Sequence, residues 1–207
     1  MKSWKIELLL FYVLIALFAA CSPTRIAGNG SEITNGVVVS ETGPADSALV
    51  IAFPVSYIPC TRRNAAAPET TFTDVQGAFN LRLADTAWNL LIYDRTRQLG
   101  AFAPRLQGEP AMGIIRLDSL GAIAGEAAAL TIDASKQTFI GIAGSPFVTK
   151  VVKDSSFLII RVPPYSYRIS LWIYSTLWSM EPILERDTVI TGATVSPGRT
   201  TSIILNH

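Results

Sequence analysis

Thr73-Asp74-Val75-Gln76-Gly77-Ala78-Phe79-Asn80-Leu81-Arg82-Leu83 is a turn followed by strict alternation. Phe79, Leu81 and Leu83 fall on one face of an extended chain, and Asn80 and Arg82 fall on the other. That is the pattern of a strand with one buried and one wet face. The turn ahead of it has its own logic. Asp74 is placed to accept hydrogen bonds from backbone N–H groups, Gly77 takes φ > 0 at little steric cost, and Phe79 opens the buried face. A calcium site at Asp74 would need about six oxygen ligands, and no neighbouring acidic cluster supplies them.

The same texture runs outward in both directions. Upstream, Gly36-Val-Val-Val39 and Ala48-Leu-Val-Ile-Ala-Phe-Pro-Val55 read as strands with the turn Glu41 to Asp46 between them. Arg62 to Thr71 reads as a loop. Downstream come Trp88-Asn-Leu-Leu-Ile-Tyr93 and then Gln98-Leu-Gly-Ala-Phe-Ala103, the expected closing strand of a first unit. The second half repeats the plan. Gly121-Ala-Ile-Ala-Gly125 opens a strand as Gly36-Val-Val-Val39 does, and Gln137 to Ile142 matches Leu49 to Phe53. Phe157 corresponds to Phe79, and Tyr167 to Trp88. Thr200 to Leu205 is the last strand expected, and Ser175 to Arg186 reads as a loop. No segment offers a capped helix of ten or more residues, so the expectation is all-β, built as sandwiches.

A strand, a turn of the form Asp-x-x-Gly-x-Phe, a strand, a small-residue corner and an aromatic opening the next strand resemble the carboxypeptidase regulatory-like module. The resemblance implies a prealbumin-like (transthyretin-like) β-sandwich of about seven strands. Asp74, Gly77 and Phe79 carry the match in residues 33–107. A more divergent copy is expected over 118–206, where Asp154-Ser155-Ser156-Phe157 lacks the glycine and so needs a different turn. The segment 108–117 reads equally as a linker or as a strand. The resemblance implies a fold and no activity.

The N-terminus carries a different message. Lys2 and Lys5 precede the apolar run Leu8 to Phe18, which ends at Ala19-Ala20-Cys21. About ten apolar residues are too few to cross a bilayer, which takes roughly 20. A basic start, a short apolar core and small residues form a secretory signal, here residues 1–20. Phe18-Ala19-Ala20-Cys21 resembles the lipobox of bacterial lipoproteins, which implies cleavage between Ala20 and Cys21 and acylation of Cys21. Two or more acyl chains hold a soluble domain on a membrane stably, where one does so only marginally. Ser22 stands where an inner-membrane retention signal has Asp, so the resemblance points to the outer membrane. Residues 21–32 are small and polar, as suits a lipidated tether.

Composition removes several classes of function. The net charge of the 207-residue chain is +1, with 16% charged residues, and its basic residues are scattered, which argues against nucleic acid. The single histidine, His207, is the last residue, so neither a histidine-based triad nor a zinc site of His and Cys is expected. Acidic residues are dispersed and form no evident catalytic pair. With Cys21 acylated, Cys60 has no disulfide partner and reads as a packing thiol. No catalytic residue, metal or cofactor is expected, and none of the chemistry of an enzyme.

The remaining candidates for binding are aromatic. In the strand Tyr167 to Ser175, Tyr167, Ile169, Leu171 and Ile173 share the core face, leaving Trp172 and Tyr174 on the other with Arg168 and Ser170. Together with Trp178 they form either a sugar-stacking platform or packing against the rest of the chain. The expectation is therefore a non-enzymatic envelope lipoprotein serving adhesion, scaffolding or protein binding. Its partners would be membrane lipid through Cys21 and an envelope protein or polysaccharide. A carbohydrate-binding accessory module is the alternative.

Overall fold

The computed structural model describes residues 32–59, 66–83, 87–106, 111–127, 133, 135–152, 155–175 and 183–205. Ala20, Cys21, Cys60 and Trp178 lie outside them. Every helix or strand among the described residues is a strand, so the fold is all-β. In chain order the first nine are β1 (Glu32–Ser40), β2 (Gly43–Pro44), β3 (Leu49–Pro54), β4 (Glu69–Phe72), β5 (Ala78–Leu83), β6 (Trp88–Asp94), β7 (Leu99–Leu106), β8 (Ala111–Arg116) and β9 (Asp118–Ser119). They are followed by β10 (Gly121–Glu126), β11 (Lys136–Gly141), β12 (Val148–Val151), β13 (Ser156–Val162), β14 (Tyr165–Ser175), β15 (Ile183–Val195) and β16 (Thr200–Ile204).

One strand order occurs twice. The sheet order β4-β3-β6-β7 recurs as β12-β11-β14-β15. In the facing sheets β1 pairs antiparallel with β5 and parallel with β8, and β10 does the same with β13 and β16. The repeat extends to single residues. Gly36 lies opposite Phe79 and Gly125 opposite Phe157. A Cβ on Gly36 would come within 2.9 Å of the Phe79 ring, and one on Gly125 within 2.6 Å of the Phe157 ring. Each aromatic therefore lies over a bare backbone, which fixes register at the start of the buried face. The glycine equivalent to Gly36 is thus Gly125 and not Gly121, the one expected from local pattern.

Three expectations about elements need correction. Ala111–Arg116, left open as linker or strand, is β8, and it closes the first set of strands in place of Gln98 to Ala103. Glu69 to Thr71, expected in a loop, pairs with β3. Part of the stretch expected as a loop before Arg186 belongs to β15, which pairs along β14 with two irregularities. Its exposed, charged Glu185, Arg186 and Asp187 suit an edge strand, because charge discourages further pairing there.

Two hydrophobic clusters fill the molecule. One joins Val38, Val50, Phe79, Leu81, Trp88, Leu90 and Ile92. The other joins Ile123, Ile140, Phe157, Ile159, Tyr167, Ile169 and Leu171, and it also takes in Phe53 and Leu91 from β3 and β6. The sheet of β3 and β6 is consequently apolar on both faces, with Leu90 and Ile92 turned to one cluster and Leu91 to the other. Two covered faces explain why Leu49–Pro54 and Trp88–Asp94 are nearly continuous apolar runs while Ala78–Leu83 alternates. Residues 31–207 form one compact unit.

Candidate functional site

The turn at Asp74 is a closed structural device. Its Oδ1 accepts from the N–H groups of Gln76 at 2.9 Å and Ala78 at 2.8 Å. Gly77 has φ +75°, and its carbonyl accepts from the Val38 N–H at 2.8 Å. A side chain at residue 77 would run into the Val38 carbonyl oxygen. Phe79, two residues on, is buried. In the second copy Ser155 takes over: its hydroxyl donates to the Val152 carbonyl at 2.7 Å and accepts from the Val152 N–H at 3.3 Å. Asp94 works like Asp74 at the β6–β7 turn, accepting from the N–H groups of Thr96 and Arg97 at 3.0 and 2.9 Å. Both carboxylates close their own turns, and the Oδ2 of Asp94 also lies 3.6 Å from the Nε of Arg97.

Trp172 and Tyr174 are not a platform. They are 0% and 1% exposed. Trp172 lies over Gly141, where a Cβ would come within 2.7 Å of the indole, and its Nε1 donates to Asp187 at 3.0 Å. The Tyr174 hydroxyl donates to the Pro59 carbonyl at 3.2 Å, and its ring meets Phe139 edge-on. The cover over this face includes the segment that follows β3, well over a hundred residues earlier in the chain. Of the two readings of these rings, packing against the rest of the chain is the one that burial and these contacts support for Trp172 and Tyr174.

The same seam is held by polar contacts. Gly144, with φ +69°, donates its N–H to the Tyr57 carbonyl at 2.7 Å and accepts from the Asn89 side-chain amide at 2.9 Å. The Tyr93 hydroxyl donates to the Arg161 carbonyl at 2.9 Å, pinning a residue whose own φ is +59° at the irregularity between β13 and β10. The Tyr167 hydroxyl donates to the Pro163 carbonyl at 2.8 Å. Burial pushes both phenols above the ordinary tyrosine value, although the Arg161 guanidinium pulls Tyr93 partly back. Both therefore remain neutral donors.

Where the cover over β14 ends, a cleft of about 370 Å³ opens. Phe102 and Asn89 contribute from the first set of strands, and Tyr165, Ser166 and Arg168 from the second. The rings of Phe102, Tyr165 and Tyr167 stand in mutual contact, with centroids 5.2–5.4 Å apart. Sequence reasoning placed Arg168 on the face of β14 opposite the core but drew no site from it. The signal it lacked is non-local: only packing decides which end of a strand face is covered. Among the described residues, no group of three or more His, Cys, Asp or Glu side chains converges on a common point.

No family model and no curated protein matches the sequence. Solved structures with some likeness include a leucine-rich repeat protein from Bacteroides thetaiotaomicron, at 10% identity and TM-score 0.32 over 86% of this chain. The shaft pilin of Lactobacillus rhamnosus GG matches at 6% identity and TM-score 0.30, covering 86% of this chain and 98% of the pilin. A candidate adhesin from Bacteroides ovatus matches at 10% identity and TM-score 0.31, covering 86% and 93%. The chain spans 27% of the leucine-rich repeat protein. TM-scores at this level are too low to argue from, and the all-β fold stands on its own strand pairing.

Proposed function

We propose that this chain is a lipid-anchored, non-catalytic module of a bacterial cell envelope, serving adhesion or scaffolding. The observation that carries the reading is the stretch Leu8 to Cys21, a short apolar core ending in small residues before a cysteine. Behind it lies a body made of strands, in which the described Asp74 and Asp94 carboxylates close turns and Asp187 holds an indole. Such a body suits a spacer or a display surface. Two of its outermost strands, β5 and β13, end their sheets without a further strand among the described residues, and such edges are where another protein adds a strand. The alternative of a sugar platform at Trp172, Tyr174 and Trp178 loses support, because the first two rings are buried.

The test is metabolic labelling in a bacterial host with radioactive palmitate. The wild-type chain takes up label and partitions with membranes, whereas Cys21→Ser does neither. Equal behaviour of the two chains ends the anchoring proposal.

A further inference from the structure

The edge strand β13 carries its own complement. Leu158 and Ile160, on its outward face, are 53% and 59% exposed. They lie opposite Ala124 and Ala122 of β10, so the apolar surface runs on to the neighbouring strand. At the equivalent places the first copy has Asn80 and Arg82 on β5 and Asn35 on β1. The main chain decides how the β13 edge can be used. The Ala127 N–H donates to the Ser155 carbonyl at 2.9 Å, so residues 155, 157 and 159 turn their N–H and C=O groups toward β10. Those of Ser156, Leu158 and Ile160 point the other way, to the open edge. One antiparallel register satisfies all three from an identical strand: a twofold axis at Leu158, which sets Leu158 against the second copy's Leu158 and Ser156 against its Ile160.

The charges agree with that register. Glu126 lies beside Ser156, and Arg161 follows Ile160. Both are exposed, and neither has an ion-pair partner among the described residues. The twofold brings the Arg161 end of each strand next to the Glu126 end of the other, so opposite charges meet twice. β5 has no such pattern, since Val37 stands where β10 has Glu126.

We propose that β13 pairs antiparallel with β13 of a second copy of this chain, joining two three-stranded sheets into one of six strands. The contact is isologous, the same patch serving on both copies. One strand edge with its flanking side chains buries less than the roughly 1,200 Å² of a standard interface, so pairing in solution is weak and half complete at roughly 0.1 mM. The proposal names the partner at one open edge and does not depend on lipid at Cys21.

The test is oxidative cross-linking of the full-length chain carrying Cys21→Ser and Cys60→Ser. Opposed Cα atoms of a hydrogen-bonded pair lie about 5.5 Å apart, within reach of a disulfide. Leu158→Cys therefore links into a dimer. Ile160→Cys does not, because the two copies of that residue stand four positions out of line, roughly 14 Å apart. Asn80→Cys, the equivalent change on β5, does not link either. Sedimentation of the same background shows a monomer–dimer equilibrium. Leu158→Asn with Ile160→Arg shifts it toward monomer by about tenfold or more, with an unchanged far-ultraviolet circular dichroism spectrum. Glu126→Arg weakens pairing, and adding Arg161→Glu restores it. A chain that stays monomeric at about 1 mM overturns the proposal and leaves the edge to a different occupant. Ile160→Cys or Asn80→Cys linking as fully as Leu158→Cys overturns it as well.

Discussion

Gly77 and Gly113 share a left-handed backbone, with φ of +75° and +66°, yet a methyl group would meet different surroundings at the two positions. Nothing lies within 4 Å of a Cβ on Gly113, whereas one on Gly77 would run into the backbone of Val38. The left-handed conformation alone costs an alanine roughly 1–2 kcal/mol. Gly113→Ala should therefore destabilise by about that much, and Gly77→Ala by about 3 kcal/mol or more, since backbone does not yield as a side chain does. Urea unfolding of the two variants measures the difference, and equal losses would show that the Val38 contact is not tight. The role of Gly77 was legible from Asp74-x-x-Gly77-x-Phe79, because every partner of that turn except Val38 is local. Burial of Trp172 and Tyr174 was one of two readings open in the sequence, but what covers them was not legible. Alternation says which residues share a face, and the cover on that face comes from Pro59 and its neighbours.

At the scale of the element, β5 and β13 occupy the same place in the repeated strand order and make an internal comparison. The outward residues Asn80 and Arg82 of β5 correspond to Leu158 and Ile160 of β13, through the matched pairs Gly36–Phe79 and Gly125–Phe157. Leu158 and Ile160 are 53% and 59% exposed, and Ile204 on β16, across the same sheet, is 79% exposed. The fold does not require apolar groups there, since its first copy has none at the corresponding places on β5. The double substitution Leu158→Asn and Ile160→Arg should change stability by no more than about 1 kcal/mol and raise solubility. A melting temperature that drops by several degrees for each residue changed would show instead that this face is covered in the folded chain. The alternation of β5 was readable in advance. The exposure of β13 was not, because an apolar run of its length fits a strand buried on both faces equally well.

At the scale of the whole molecule, the repeat is less separate than a tandem pair of modules suggests. Phe53 and Leu91 leave the cluster of their neighbours Val50, Leu90 and Ile92 and join the cluster built around Tyr167 and Ile169. Gly144, Tyr93 and Tyr174 add hydrogen bonds across the same seam. The all-β class was readable from short β-branched runs and turn residues. This union was not, because a double-faced strand and an ordinary core strand look alike in sequence. Truncating a fully buried leucine costs about 2–5 kcal/mol, and here both sets of strands should feel it. The direct measurement is hydrogen exchange of the purified chain, read on peptides covering β6 and β14, with and without Leu91→Ala. The account predicts that both peptides lose protection together and by similar amounts. Loss confined to β6, with β14 as protected as in the wild type, would contradict it.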